Sequence, residues 1–135
     1  MDTFTPETRS RVMARVRGKD TQPELRLRRI LHGMGYRYRL HVAALPGKPD
    51  IVFPSRRKIV FMHGCFWHGH SCRAGQKRPA SNRIYWDEKL AKNMARDKSN
   101  RRQLGKLGWR ILVVWECQMR NEARLGRRLV DFLES

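Results

Sequence analysis

Acidic side chains are scarce in this chain. Against 30 Lys and Arg there are 12 Asp and Glu, a formal net charge of +18 over 135 residues and a sequence pI near 11.3. Such an imbalance repels itself in the compact state, so it points to a polyanionic partner, and nucleic acid is the first to consider. A membrane surface is the rival partner, but no segment joins a clean basic face to a broad apolar one. Nor does any apolar run approach the ~18 residues of a membrane span, and the opening MDTFTPETRSRVM has no apolar core of a signal peptide. The expectation is a soluble, cytoplasmic protein. Three cysteines are too few for a disulfide framework in such a compartment and suit thiolates and metal better. Internal repeats and low-complexity tracts are also lacking, which leaves one domain over 1–135 with a basic N-terminal segment, 1–20, set to contact DNA.

What is present reads as alternating elements. A basic amphipathic stretch, ETRSRVMARVRG (7–18), comes first. Thr21-Gln22-Pro23-Glu24 then has the form of a capping box, opening a helix with Leu27, Ile30, Leu31 and Met34 on one face. YRYRLH (36–41) alternates as a strand, DIVF (50–53) and KIVFMH (58–63) follow, and Pro54-Ser55-Arg56-Arg57 turns between them. A long helix is expected over 83–107, capped by Ser81 or Asn82, with Trp86, Leu90, Met94, Leu104 and Leu107 near one face. RILVVWEC (110–117) is apolar enough for a strand buried on both faces. A last helix carries Leu125, Leu129, Phe132 and Leu133. A meander followed by a helical crossover to one more strand gives an α/β fold, a mixed sheet with helices on both faces.

The segment HGCFWHGHSC (63–72) concentrates the chemistry. Cys65, His70 and Cys72 form C-x4-H-x-C, and Cys117 is expected at the end of the later strand. Three thiolates and one imidazole make a closed tetrahedral set, a structural zinc site with no position left for water. Free cysteines beside histidines by chance are the plain alternative. A zinc deaminase is excluded, because H-x-E and P-C-x-x-C are both missing. His63 and His68 then remain for proton transfer or phosphate contact, against ordinary roles at the core edge or surface.

Asp50 begins the second strand, and a hairpin turning near 55–57 sets it opposite Met62 or His63. A carboxylate beside two histidines on a basic surface is equipment for Mg²⁺-assisted hydrolysis of a phosphodiester, with the Met62 carbonyl as a further candidate ligand. Asp50 as a simple turn residue is the alternative. Glu24 could reach the same site, although the capping box also accounts for it, and Asp97 reads as an i+4 partner of Arg101.

Over nearly its whole length the chain resembles the very short patch repair (Vsr) DNA mismatch endonucleases, in LPGKPDIVF, KIVFMHGCFWHGHSC, YWDEKLAKNMARD and GWRILVVWEC. The resemblance implies a restriction-endonuclease-like core and Mg²⁺-dependent nicking 5′ of the thymine in T:G mismatches left by deamination of 5-methylcytosine. It implies Asp50 as Mg²⁺ ligand, His68 as general base and His63 as phosphate contact, with structural Zn²⁺ on Cys65, His70, Cys72 and Cys117. Phe66, Trp67 and Trp86 would be an aromatic wedge pushed into the DNA stack. The enzyme would be a monomer in the bacterial cytoplasm, working at the nucleoid on double-stranded DNA and linked to a cytosine-5 methyltransferase. Phe61-Met62-His63 stands where ordinary restriction enzymes carry Glu-x-Lys, and Met62 replaces the threonine of familiar relatives. The loop RAGQKRP (73–79) is more basic than expected, which points to a different flanking sequence being read. Two other readings remain at this stage, a zinc-stabilised binder of distorted DNA that does not cut, and a dimeric nuclease that cuts both strands. Under each of the three, phosphate contacts make affinity fall steeply with salt, by roughly 10³-fold or more between low and moderate ionic strength in a binding titration.

Overall fold

The computed structural model describes residues 21–135, so the basic stretch at 7–18 and the DNA contacts expected of 1–20 lie outside the described residues. Helix α1 (Gln22–Gly33) starts as the sequence predicts. Thr21 Oγ1 accepts the Glu24 N–H at 3.4 Å, Pro23 sits in the first turn, and Leu27 and Leu31 are fully buried. The Glu24 side chain, however, turns inward to Arg28 and His41, so the capping box does not account for it.

YRYRLH yields less strand than its alternation suggests. Strand β1 is Arg39–Leu40 alone, while Tyr36 and Tyr38 set their ring edges against Phe53 at centroid distances of 6.3 and 6.0 Å. His41 leaves the strand with φ at 46°.

Strands β2 (Ile51–Phe53) and β3 (Lys58–His63) form the expected hairpin around a 3-10 turn, Pro54–Arg56, closed by Arg57 in the left-handed conformation. That turn sets the register. Ile51 faces Val60 and Phe53 faces Lys58, and one more step puts Asp50 against Phe61 rather than the expected Met62 or His63. Asp50 still reaches Met62 through its side chain, as described below.

A single-turn helix α2 (Arg73–Gln76), not expected from the sequence, precedes the long helix α3 (Arg83–Lys106) and strand β4 (Arg110–Trp115). The four strands lie in the order β1-β2-β3-β4, antiparallel except for the β3–β4 pair, which is parallel from Lys58↔Arg110 to His63↔Trp115. The mixed sheet thus has the predicted topology, but the strand buried along its whole length is β3, not β4. The order explains the difference, since β4 lies at the edge and keeps only Val114 fully buried.

Strand alternation divides the core into two layers. Ile51, Phe53, Val60, Met62 and Val114 face α1 and helix α4 (Glu122–Glu134), which contributes Leu125, Leu129 and Leu133 at i, i+4 and i+8. Val52, Ile59 and Phe61 face the other way, onto Leu104 of α3. Each fully buried leucine contributes about 2–3 kcal/mol of apolar transfer. The apolar stripe read along α3 buries only Leu90 and Leu104; Met94 and Leu107 are exposed. Lys58, buried at the start of β3, donates from Nζ to the carbonyls of Leu133 and Ser135 at 3.0 and 2.8 Å, tying the C-terminus of α4 to the sheet. No helix among the described residues is long and apolar enough to cross a membrane.

Candidate active site and metal-binding loop

Because β2 runs against β3 and β4 runs with it, the start of β2 and the ends of β3 and β4 meet at one edge of the sheet. Asp50, His63, Trp115 and the loop carrying Cys65 to Cys72 therefore gather there, although they are distant in sequence.

On one side is a carboxylate cluster. Asp50 Oδ2 accepts the Met62 N–H at 2.9 Å, and a donor atom from each of Glu24, His41 and Asp50 lies within 4.8 Å of the others. Glu24, 3% exposed, is ion-paired with Arg28, and His41 Nε2 approaches its two oxygens at 3.2 and 3.0 Å. Burial, and secondarily the neighbouring Glu24 carboxylate, push the Asp50 pKa up to about 7, against the opposing pull of the Met62 N–H. A carboxylate held in that condition gains from a bound cation. The sequence suggested Glu24 here but gave no sign of His41.

On the other side are the histidines. His63 and His68 stack with centroids 3.8 Å apart and planes 4° from parallel, and the Trp115 ring stands edge-on to His63 at 5.2 Å. His68 Nδ1 bonds Asp97 Oδ2 at 2.5 Å. Asp97 is thus not explained by Arg101: its carboxylate crosses from α3 to the loop imidazole, 29 residues away in sequence. That pairing fixes the tautomer carrying the proton on Nδ1 and leaves Nε2 as a base. No local spacing in the sequence announced it. Asp50 and His68 themselves fall in two separate donor groups, linked along the Met62–His63 end of β3.

His63 is buried and its Nδ1 has no hydrogen-bond partner among the described residues. Burial first, and the adjoining His68 second, lower its pKa to about 3, so the ring is neutral. The unfolded chain takes up a proton near the ordinary value of 6.5 while the folded chain does not. The stability that neutral His63 allows is therefore present above about pH 6.5 and is lost as pH falls toward about 3. Urea titrations of wild type and His63→Gln should differ in that window, with the variant losing less stability on acidification.

The four expected soft donors do come together: Cys65, His70, Cys72 and Cys117 present atoms all within 4.8 Å of one another. Cys117 comes from the 3-10 turn after β4 (Glu116–Arg120) rather than from the strand itself, its N–H donating to Cys65 Sγ at 3.3 Å. His70 stacks on Trp115 at 4.1 Å, which orients its Nδ1 toward Cys117 Sγ at 3.6 Å. Burial pushes the Cys65 thiol up to about 12, whereas the Gly75 N–H and the His70 side chain bring Cys72 down to about 6. The spread matches what one ion with bonds of about 2.3 Å to sulfur requires. Helix α2 closes the loop so tightly that a Cβ on Gly75 would lie 2.0 Å from the His70 carbonyl oxygen. Since backbone cannot swing aside as a flexible side chain does, Gly75→Ala is expected to cost at least about 1–3 kcal/mol and to lower metal retention, measured by thermal melting and metal analysis.

Phe66, Trp67 and Trp86 form a single group, with centroids 5.0, 5.6 and 5.7 Å apart. They pack on each other rather than in either core layer, and all three remain partly exposed. Asn93 of α3 donates to the Trp67 carbonyl at 3.1 Å, fastening the ring-bearing loop to the helix. The alternative of Trp86 as a core anchor is thereby removed.

Comparison with known proteins agrees with this assembly. The family model described as DNA mismatch endonuclease Vsr matches residues 1–74. The chain is 50% identical to the type II nicking enzyme V.XorIIP of Xanthomonas oryzae pv. oryzae, over 98% of this chain and 97% of that one. It is 45% identical to the type II nicking enzyme V.NmeAIP of Neisseria meningitidis, over 95% and 91%. It is 43% identical to the DNA mismatch endonuclease Vsr of Escherichia coli, over 92% and 79%. With relatives of that identity along almost its full length, the chain belongs to the Vsr family of DNA mismatch endonucleases and is a DNA endonuclease.

Proposed function

We propose that this endonuclease nicks one strand of double-stranded DNA on the 5′ side of the thymine in a T:G mismatch, with Mg²⁺ as its cofactor. The observation that carries the reading is the pair of sites on the two sides of the β3 end, hard carboxylate donors at Asp50 and a carboxylate-oriented imidazole at His68. Two carboxylates brought together at a largely buried position suit a divalent cation, which lowers the pKa of a bound water and takes up charge on the phosphate. Asp50 and Glu24 would hold it, with the Met62 carbonyl as a further candidate ligand. His68 Nε2 takes the proton of the water that attacks phosphorus, the ester bond to the departing deoxyribose oxygen breaks and that oxygen is protonated from solvent, while Asp97 steadies the resulting imidazolium. His63 packs flat against His68, fixing its plane, and contacts the phosphate.

Cys65, His70, Cys72 and Cys117 would hold a structural Zn²⁺, which would lock the loop that carries both His68 and the rings. Phe66, Trp67 and Trp86 enter the stack beside the mismatch. Unstacking there costs less than at paired bases, which favours the damaged site, and rings already fixed on a braced loop need little ordering on binding. The mismatch arises from 5-methylcytosine, so a cytosine-5 methyltransferase is the functional companion, and a single site per chain suits a monomer in the bacterial cytoplasm.

The test is to incubate the protein with Mg²⁺ and duplexes that differ only in T:G or C:G at one position, and to label each strand. A nick confined to the thymine strand of the T:G duplex is expected. Binding without cleavage would replace this reading with a non-catalytic binder, and cleavage of both strands at the paired site would replace it with a dimeric nuclease.

A further inference from the structure

His41 lies beside the carboxylates of Glu24 and Asp50. Its backbone departs from β1 into the left-handed region, φ 46°, and its N–H donates to the Asp50 carbonyl at 3.2 Å. That turn swings the ring off the strand and toward α1. Its Nε2 then lies 3.0 and 3.2 Å from the Glu24 oxygens and 3.4 Å from Arg28 Nη2, and one of its ring nitrogens lies within 4.8 Å of an Asp50 oxygen. An imidazole on an ordinary strand continuation would not meet this group. The left-handed turn is what brings it there, and histidine is among the few side chains that tolerate it.

We propose that His41 is a nitrogen ligand of the cation held by Asp50 and Glu24, and that it shifts the preference of this site from Mg²⁺ toward Mn²⁺. The chemistry is a matter of donor type. Carboxylates and water satisfy Mg²⁺, a hard ion reluctant to lose its hydration; Mn²⁺ also favours oxygen donors but, as a transition-series ion, gains more than Mg²⁺ from one added nitrogen. Two oxygens and one nitrogen converging on a point make a mixed set. Arg28 pairs with Glu24 and also acts on Asp50, so it opposes any cation here by charge, and the attraction has to come from the two carboxylates together. The inference rests on the reading that Asp50 holds the catalytic cation, and the experiment separates the two.

The full chain is titrated with Mn²⁺ alone, followed by electron paramagnetic resonance, and the bound ion is then examined by electron spin-echo modulation for coupling to a histidine nitrogen. Coupling is expected in wild type, retained in His68→Ala and lost in His41→Gln. In that last variant Mn²⁺ affinity should fall about tenfold while Mg²⁺ affinity, measured by competition, changes less than about threefold. Histidine-specific nitrogen labelling identifies the coupled nitrogen as histidine's, and His41→Asn, a second residue that tolerates the left-handed backbone, keeps the assignment open if His41→Gln folds poorly. If Mn²⁺ binding is lost in Asp50→Asn yet no His41-dependent coupling appears, His41 is not a ligand and the cation reading survives. If Asp50→Asn leaves Mn²⁺ binding intact, the cation lies elsewhere and both ideas fall.

Discussion

Replacing His68 with alanine is expected to slow nicking by a factor of about 10²–10⁴ and to leave DNA affinity within about threefold. The asymmetry follows from what the side chain touches. One ring nitrogen is taken by Asp97 and one face by His63, which leaves only the outward Nε2 to meet a substrate. Such an atom contributes to the reaction step and little to holding the duplex, which a net charge of +18 does by itself. Asp97→Asn should reproduce part of the loss with the imidazole still present, because an amide no longer stabilises the imidazolium. Its rate should also respond to pH differently from that of wild type, a signature that mere loosening of the loop would not produce. Single-turnover nicking assays beside fluorescence binding titrations measure both quantities. A His68→Ala protein that nicks within about twofold of wild type would remove His68 from the mechanism.

Cys117→Ser is expected to take the bound zinc from one per chain to almost none and to abolish nicking. Structural zinc sites of this ligand type are associated with roughly 10 kcal/mol or more of apparent binding energy, and that energy is folding energy for whatever the site ties together. Here an ion on the four donors would tie the loop after β3 to the turn after β4. The ring cluster and His68 both ride on that loop, so their positions should loosen with it. The two core layers involve none of these four residues except through neighbours, and far-ultraviolet circular dichroism should retain most of its helical signal. Treatment of the wild type with a strong chelator should have the same effect, reversed by Zn²⁺ and not by Mg²⁺. A chelated protein with an unchanged melting temperature and full activity would show that the thiol cluster braces nothing.

Asp50 adds a pH dependence of a different kind. With its carboxyl pKa raised to about 7, proton and cation compete for the same oxygens, so Mg²⁺ should bind more weakly as pH falls below about 7.

What could be read from residues alone was whatever is carried by local pattern. Leu125, Leu129 and Leu133 at helical spacing identified the buried face of α4, and the run KIVFMH identified a strand. C-x4-H-x-C named a ligand set whose fourth member, Cys117, lies 45 residues beyond Cys72 and still joins it. Thiols and imidazoles are informative wherever they stand, because so few other roles need them. The pattern misjudged burial where the position of an element in the sheet decided it. RILVVWEC reads as a central strand, but the chain order leaves it at the edge, and Met94 of α3 projects beyond the layer it was expected to cover.

The sequence by itself determined the order of the elements, the polyanion-seeking charge, the soft-donor loop and an aspartate delivered to the mouth of a hairpin. The tertiary structure decided which groups meet: Asp97 with His68 rather than Arg101, His41 and Glu24 with Asp50, and Ile51 rather than its neighbour with Val60. The reason is that these encounters depend on a few backbone angles and on helix placement. The left-handed Arg57 sets the hairpin register, the left-handed His41 redirects a ring, and the packing of α1 and α3 brings in the acids. Periodicity specifies a face of an element, but a contact between elements exists only once their relative positions are fixed.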